Sequence, residues 1–221
     1  KLNVKYKEQK LYLNGEGKIK FEKYSNKIKY SIHKHKDDLN LKSEINIQNI
    51  NLKNQKIFKN FFPSTQDLVN LKNHKIKINY NKNILSLYGE GKIKIHNNYD
   101  TINYFISREG NEINFDINTN LNKTDFEIKS INYKKNNNLN TKLNLTGSYL
   151  PKENLILNDL SVLDQNNKIK ITNLIFDKDN LIIDLEQAIF DYIDTENKEN
   201  QFTIYKEKKN NFKLNGLFFN A

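Results

Sequence analysis

The 221-residue sequence contains no cysteine, no tryptophan and no methionine, only two prolines and seven glycines, and a single arginine, Arg108. Without cysteine the chain can form no disulfide, carry no reactive thiolate and hold no zinc through sulfur. It also lacks any apolar run near the roughly 18 residues that a membrane-spanning helix requires. These absences exclude disulfide-stapled, thiol-dependent and helical transmembrane classes for this sequence.

The positive charge of the sequence is carried almost entirely by lysine. The formal net charge is +10, and asparagine and isoleucine are abundant while arginine is nearly absent. That bias is typical of an AT-rich genome, whereas selection for phosphate binding would favour the bidentate guanidinium of arginine. A basic surface can still attract anionic membranes or nucleic acid. The charge by itself therefore does not assign a function.

Apolar residues alternate with polar ones through most of the chain, which is the pattern of antiparallel strands with one wet face. The alternation predicts a dozen or more strands, in an all-β fold that is an elongated, curved antiparallel sheet with an open apolar groove. At most one or two short helices are expected, and a β-sandwich is the alternative. The alternating sets are Ile28–Ile32, Leu39–Ile47, Ile76–Tyr80, Ile102–Ile106, Ile113–Ile117, Phe126–Ile128, Leu143–Leu145, Leu155–Leu157, Ile169–Ile171, Leu181–Leu185, Phe202–Ile204 and Phe212–Leu214.

The breaks between these sets are rich in Asn and Asp, which tolerate the left-handed conformation of tight hairpin turns. We therefore expect Asn to fill the turn positions that Gly usually takes. Both prolines, Pro63 and Pro151, fall between strands. The segment Gln55–Phe62 breaks the alternation, which predicts either a short helix or turn, with Ser64 as a cap for the next turn, or a loop whose aromatics plug one end of the core.

A Gly-Glu-Gly word recurs with the same flanking residues, in residues 11–21 (LYLNGEGKIKF) and 85–95 (LSLYGEGKIKI), and more faintly in residues 143–149 (LNLTGSY). A phosphate-binding loop would need these glycines between a strand and a helix. Here the alternation continues through them, which indicates glycines inside strands that bend a sheet or leave room on its apolar side. We expect the groove-bending glycines to be Gly15, Gly17, Gly89, Gly91 and Gly147.

The residues that usually carry enzyme chemistry are not clustered in this sequence. His33 and His35 share a strand face, but that face is rich in lysine and offers no third ligand at a convincing spacing. Carboxylates are dispersed among lysines, and no serine has the context of a nucleophile. We therefore expect a non-enzymatic protein without cofactor or metal. Nucleic acid is not an expected partner, because Tyr and Phe mostly share the apolar side while Lys takes the other.

The stretches LNGEGKIKF, LYGEGKIKI and LNLTGSYLPKENLILNDLSVLDQNNKIKITNLIF, with the ending FKLNGLFFNA, resemble the AsmA-like superfamily, in particular its large YhdP-type members and more distantly TamB-like proteins. The resemblance covers most of the chain as a rhythm of strands and turns. One departure lies near the end, where Asn220 stands close to the place of a usual Asp. On this resemblance, residues 1–221 are expected to be one β-rich segment of a longer protein.

The resemblance implies a specific function. Such bridge-like lipid transport proteins are anchored in the bacterial inner membrane and extend a curved sheet across the periplasm of Gram-negative bacteria. Their apolar groove is thought to carry phospholipid acyl chains toward the outer membrane, which supports outer-membrane integrity. The inner and outer membranes would be contacted through regions outside this sequence.

The residues expected to line such a groove are apolar side chains of one parity. Any of them could equally belong to a dry core, and the alternative function is a structural or adhesive β-repeat domain at the cell surface. The candidates are Leu11, Leu13, Ile19, Phe21, Ile76, Ile78, Leu85, Leu87, Ile93, Ile95, Phe115, Leu143 and Leu145.

Overall fold

A computed structural model describes residues 1–53, 61–63, 65, 67–136, 139–179, 181–208 and 211–219. Its main element is one antiparallel sheet in which fourteen strands follow the order β1-β2-β3-β4-β5-β6-β7-β8-β11-β12-β13-β15-β16-β17, while β14 pairs with β13 and β9 pairs with β10. The strands are β1 Leu2–Lys7, β2 Lys10–Phe21, β3 Tyr24–His35, β4 Asp38–Lys53, β5 Leu68–Asn81, β6 Ile84–Lys94, β7 Tyr99–Glu109, β8 Glu112–Leu121, β9 Glu127–Ile128, β10 Tyr133–Lys134, β11 Thr141–Leu150, β12 Asn154–Leu163, β13 Lys168–Asp177, β14 Ile182–Asp184, β15 Gln187–Ile193, β16 Glu199–Lys208 and β17 Asn211–Phe218.

The register of the hairpins keeps apolar side chains on one side of the sheet. Leu13 lies opposite Ile32, Ile32 opposite Leu41, Leu41 opposite Tyr80, and Tyr80 opposite Leu85. Because residues directly opposite one another in an antiparallel pair share a face, the apolar residues form one continuous side. We call this side the apolar face and the other side the polar face.

The single open sheet confirms the all-β, curved-sheet prediction, and the described residues do not form the two facing sheets of a β-sandwich. The chain exposes 14460 Å² of surface. A compact monomer of 26.2 kDa would expose about 10,600 Å². The sheet is therefore extended and leaves much of its surface in contact with solvent.

Part of the apolar face is covered by residues 122–136, which connect β8 to β11 and contain β9, β10 and the 3₁₀ turn Lys129–Ile131. We call residues 122–136 the cover segment. A line of aromatic rings runs through it, with centroids 5.3 Å apart for Phe62 and Phe126, 6.3 Å for Phe126 and Tyr133, and 5.8 Å for Tyr133 and Tyr192. These ring contacts connect Phe62, which precedes β5, through the cover segment to Tyr192 on β15.

Two of the predicted elements are wrong, and a third lies largely outside the described residues. Phe126–Ile128 does not form a strand of the main sheet, because this part of the chain crosses over the apolar face instead. A one-sided strand over Leu181–Leu185 is also wrong, since only Ile182–Asp184 pairs and Leu181, Ile182 and Ile183 are all more than 60% exposed. The predicted helix or turn at Gln55–Phe62 lies largely outside the described residues, and so does Ser64, the predicted cap of the turn that follows it. Phe61 and Phe62, which we call the plug, pack on Phe126.

The turns rely less on asparagine than the sequence predicted. Between strands, positive φ values occur at Asn83, Asn132 and Asn197, but also at Glu8, Gln9, Glu22, Lys36, Lys82 and Lys152. A two-residue hairpin needs positive φ because of the right-handed twist of its strands, whatever side chain stands there. The long ladders on both sides of each turn impose that conformation on charged residues.

The repeated word belongs to a larger repeated unit. Asn26 and Asp100 stand 74 residues apart, like the two Gly-Glu-Gly words, and both are buried. The side-chain oxygen of Asn26 accepts a hydrogen bond from the backbone N–H of Gln48 at 2.8 Å, and that of Asp100 accepts one from Asn122 at 2.7 Å. Each bond spans 22 residues, so the repeat includes three strands and the buried polar residue that fastens the third strand to the second.

Replacing Lys36 by glycine tests the cost of charged residues in the turns. Lys36 has φ 53°, so Lys36→Gly should raise the free energy of unfolding by about 0.5–1 kcal/mol, measured by urea denaturation. Asp37→Gly is the matched control in the same turn and should lower it by a similar amount, because that position has no positive φ. Equal effects of the two substitutions would contradict this account.

Candidate functional site

The apolar face forms a groove whose predicted lining residues are neither sealed nor freely exposed. Ile95 and Leu143 are buried, Leu85 is 41% exposed, and the other predicted lining residues are half-buried. They lie on β2, β5, β6, β8 and β11, apart from Ile95, which directly follows β6. Over β1–β7, the described residues provide no second sheet above these side chains. A half-buried apolar surface of this kind can still accept apolar atoms.

The groove contains an apolar cavity of about 220 Å³, which Phe126 of the cover segment helps to line. Only apolar side chains line it, from β8, β11 and β12 on the sheet side and from the plug and the cover segment above: Phe61, Phe62, Phe115, Ile117, Phe126, Leu143, Leu145, Leu155, Leu157 and Leu160. An apolar cavity of about 150 Å³ in another protein stays dry and binds small hydrocarbons. This cavity therefore has the size and chemistry to hold a piece of a hydrocarbon chain.

Three of the cavity-lining residues, Phe115, Leu143 and Leu145, were among the sequence candidates. The others were missed as site residues, although the alternation signalled Ile117, Leu155 and Leu157 as inward-facing. Phe61, Phe62 and Phe126 come from connections between strands, where period-two patterning gives no direction for a side chain. Only the tertiary structure brings these three rings over the sheet.

The glycines of the repeated word make room for aromatic rings of the neighbouring strand. A Cβ on Gly15 would lie 2.4 Å from the Tyr30 ring, and one on Gly89 would lie 2.2 Å from the Tyr104 ring. Tyr30 and Tyr104 stand directly opposite these glycines. The glycines thus let a tyrosine ring lie flat on the backbone, which keeps the groove shallow and lined by ring carbon at these points.

The remaining predicted glycines differ from one another. A Cβ on Gly91 would meet His74 at 2.4 Å, opposite a register shift between Lys72 and Lys75. Gly147 also lies at a register shift, and a Cβ there would meet the carbonyl oxygen of Ile156 at 2.1 Å and the Phe115 ring at 2.8 Å. Such bulges increase local twist and bending. Gly17, by contrast, has nothing within 4 Å.

The glutamate between the glycines lies on the polar face, opposite a lysine of the neighbouring strand. Glu16 lies opposite Lys29, Lys29 opposite Glu44, and Glu44 opposite Lys77, so charges of alternating sign cross four strands. In the second copy Glu90 lies opposite Lys75. Opposite charges at directly paired positions stabilise a sheet. The Gly-Glu-Gly word therefore combines room for a ring on one face with charge pairing on the other.

His74 is a polar residue enclosed in the apolar face. Its ring is 1% exposed, lies over Gly91, and stacks on Tyr104 at 5.9 Å. Neither ring nitrogen has a hydrogen-bond partner among the described residues. Burial lowers the pKa of His74, so the neutral imidazole is the form that fits this site.

The cover segment is fixed by buried polar contacts at its base. Lys135 is 2% exposed and its ammonium donates to the carbonyl oxygens of Asn122 at 3.0 Å and Asn136 at 3.3 Å. Burial lowers the pKa of Lys135, while the nearby carboxylates of Asp100, Asp125 and Asp164 act in the opposite direction. These hydrogen bonds join the two ends of the cover segment to each other. The carboxylate of Asp100 on β7 attaches the segment to the sheet, because it accepts from the backbone N–H of Asn122 and the hydroxyl of Thr124.

The far side of the cover segment is held by Tyr192. Its hydroxyl donates to the carbonyl oxygen of Ile131 at 2.5 Å, and burial raises the pKa of Tyr192 to about 12. Thr195 adds a hydrogen bond from its hydroxyl to Asn132 at 2.8 Å. The cover segment therefore bridges β8 and β15 and closes one part of the groove.

The residues with catalytic or metal-binding potential stay apart. His33 faces the polar side and stacks on Tyr12 at 4.3 Å. In the part of the chain that the structure describes, no three His, Asp or Glu side chains meet as a metal site. Within the same residues, no helix has the length and apolar character needed to cross a membrane.

No protein-family model, curated protein sequence or solved structure matches this chain. The resemblance to the AsmA-like superfamily therefore stays a prediction from the sequence. The features of the molecule that bear on its function are the groove and the two faces of the sheet.

The glycines of the repeat can be tested by alanine substitution. Gly147→Ala should destabilise most, by about 2–3 kcal/mol, because the added methyl meets backbone, and Gly89→Ala should cost about 1–2 kcal/mol against the Tyr104 ring. Gly17→Ala, in the same motif but with open space around it, is the control and should stay within about 0.5 kcal/mol. Urea denaturation measures the free energy of unfolding of all three variants. A loss at Gly17 equal to that at Gly89 would refute the explanation that Gly89 is needed to make room for the Tyr104 ring.

Burial of neutral His74 predicts an acid-sensitive fold. Because its folded-state pKa lies below the unfolded value, the unfolded chain binds the proton more readily, and the free energy of unfolding should fall as pH drops through about 6.5. His74→Leu should remove part of this fall between pH 7.5 and pH 5.5, as measured by urea denaturation. Ile76→Val, a substitution in the same strand that removes no titratable group, is the control and should leave the slope unchanged. An identical slope in His74→Leu and the unmodified chain would show that His74 does not contribute.

Proposed function

We propose that this chain is a non-enzymatic hydrocarbon-binding groove that carries the acyl chains of phospholipids along its apolar face. The observation that carries the proposal is the continuous apolar face, which runs across fourteen strands and opens into an apolar cavity. Thirteen strand spacings give this face a length of about 60 Å.

The chemistry of the lining favours hydrocarbon over a polar ligand. The residues around the cavity offer no hydrogen-bonding side chain. Transfer of an acyl chain from water onto such a surface is favourable by about 0.8 kcal/mol for each buried CH₂. A polar ligand would lose its hydrogen bonds to water without gaining others.

Partial exposure of the lining favours movement over permanent binding. A fully buried side chain is a dry core, but residues such as Leu13, Ile78 and Leu87 are only half-buried. A guest chain on them would bury their remaining surface and would exchange one set of similar contacts for the next as it moved. Each position would then bind weakly, and the energy would change little along the groove.

A phospholipid has an apolar and a polar part, and these match the apolar face of the sheet and the polar rim where its strands end. The acyl chains would lie on the apolar face, while the head group would stay in water at the rim, where strands end and lysines are frequent. Lysine attracts phosphate as a point charge without the fixed geometry of arginine. The rim would therefore guide head groups without holding one in place.

In its wider setting, we propose that the chain is a periplasmic segment of an inner-membrane-anchored, envelope-spanning protein that moves phospholipid between the inner and outer membranes of a Gram-negative bacterium. The support is the resemblance to AsmA-like proteins together with the open curved sheet. Contacts with the two membranes through other regions of such a protein, and with them outer-membrane integrity, belong to the same proposal.

Photo-crosslinking tests the groove directly. The crosslinking amino acid p-benzoylphenylalanine replaces Leu87 or Leu145 on the apolar face, and Asn144 on the polar face as the matched neighbour of Leu145. Each variant is expressed in a Gram-negative bacterium, irradiated, purified and examined by mass spectrometry for phospholipid adducts. We expect adducts at Leu87 and Leu145 and a background level at Asn144.

Two outcomes would refute the proposal. Equal lipid adducts on both faces would show non-specific contact with lipid. Protein–protein adducts alone at Leu87 and Leu145 would show that another polypeptide covers the apolar face, as a structural or adhesive repeat domain would require.

A further inference from the structure

The charge of the chain is distributed unevenly along the sheet. Residues 1–100 carry 21 lysines against 9 carboxylates, a net charge of +12, whereas residues 101–221 carry 15 lysines and arginines against 17 carboxylates, a net charge of −2. Strand order in the main sheet follows chain order, so the basic residues lie at the β1–β6 end. Genome composition acts on the whole chain and does not account for a difference between its two halves.

One local concentration of this charge surrounds Tyr99 on the polar face. Lys72 lies directly opposite Lys92, and Lys94 lies directly opposite Tyr99. The ammonium groups of Lys72 and Lys94 are 5.2 and 5.9 Å from the centre of the Tyr99 ring, and the Tyr99 hydroxyl donates to Asn70 at 2.9 Å. We call Lys72, Lys92, Lys94 and Tyr99 the Tyr99 patch.

The Tyr99 patch has positive charge without a matching negative one. Among the described residues no carboxylate lies within 4 Å of its three lysines, although nearby Lys75 pairs with Glu44 at 3.5 Å. Like charges at directly opposite positions destabilise a sheet. An external anion would relieve this repulsion, so the patch is suited to a negatively charged partner.

Exposed aromatic rings accompany the lysines. Tyr99 is 38% exposed. Tyr88 and Phe105 lie opposite each other on the same polar face at 40% and 44% exposure, about 13–20 Å along the strands from the Tyr99 patch, with Lys77 over the Tyr88 ring and Asp116 opposite Phe105. Lysines around amphipathic rings are typical of surfaces that rest at the head-group level of a bilayer. Nucleic-acid binding is less well matched, because lysine ammonium groups already lie over the Tyr99 and Tyr88 rings, where bases would stack.

We propose that the Tyr99 patch, together with Tyr88 and Phe105 farther along the same two strands, docks the basic half of the sheet onto the surface of an anionic phospholipid bilayer. Lys94 is the last residue of β6 and Tyr99 is the first residue of β7, so both lie where these strands end. Docking therefore brings this rim of the groove to the membrane. Docking uses the polar face and does not depend on which guest the groove carries.

Vesicle co-sedimentation tests the docking surface. One set of vesicles contains phosphatidylcholine alone, and the other contains equal parts of phosphatidylcholine and phosphatidylglycerol. The unmodified chain should sediment with the anionic vesicles only, and added salt should weaken binding. Because each lysine near an anionic surface contributes about 1 kcal/mol, the triple substitution Lys72→Gln, Lys92→Gln, Lys94→Gln should weaken binding roughly 100-fold.

A matched variant separates the patch from net charge. Lys142→Gln, Lys168→Gln, Lys178→Gln removes the same charge from exposed positions in the other half of the sheet and should change binding by less than about threefold. Phe105→Ser leaves the charge unchanged and should weaken binding severalfold. Circular dichroism and the thermal midpoint establish that each variant is folded, and Lys92→Gln alone serves if the triple variant is not.

Several results would overturn the docking proposal. Equal weakening by the two triple variants would assign binding to net charge alone, and equal binding to both vesicle types would remove the role of the anionic lipid. Tighter binding of a single-stranded DNA oligonucleotide than of anionic vesicles, lost in the patch variant, would assign the surface to nucleic acid. If the vesicle results refute docking, lipid adducts at Leu87 would show that the groove proposal still stands.

Discussion

A wide sheet with one apolar face is stable only if that face is shielded from water. This chain shields only part of its apolar face, and most features of the structure depend on that fact. Register carries Leu13, Ile32 and Leu41 onto one side, and the same side continues to β17. Curling of the sheet and the cover segment bury the part near β8–β16, where the largest buried cluster lies. Elsewhere the described residues leave the lining half-buried, which produces a groove instead of a closed core.

The aromatic residues perform two different tasks within this arrangement. Tyr30 and Tyr104 lie over glycines of the adjacent strands, so their rings line the apolar face close to the backbone. Phe62, Phe126, Tyr133 and Tyr192 stand above the floor and join the plug and cover segment to the far strands. Ring size and stiffness suit both roles, because an aromatic side chain buries a large area with few rotatable bonds.

Each strand contributes side chains to both faces of the sheet, one suited to hydrocarbon and the other to charged groups. On β6 and β7, Leu87 and Ile106 face the groove, while Tyr88 and Phe105 face the other side among lysines. A one-residue change of register would exchange these sides, so the hairpin turns that fix register also fix which surface meets hydrocarbon and which meets charge. The proposals for the groove and for the Tyr99 patch rest on that separation.

The sequence by itself determined the fold class, the apolar face and most strand positions, because period-two alternation is a local property that every residue from Leu11 to Phe21 already displays. It also predicted glycines on the apolar face, but not the rings above them, since Tyr30 and Tyr104 become neighbours of Gly15 and Gly89 only through hairpin register. The cover segment, the buried position of His74 and the grouping of Lys72, Lys92 and Lys94 around Tyr99 were decided by tertiary structure alone. Each depends on which strands lie side by side or on where a connection crosses the sheet, and alternation along one strand contains no information about either.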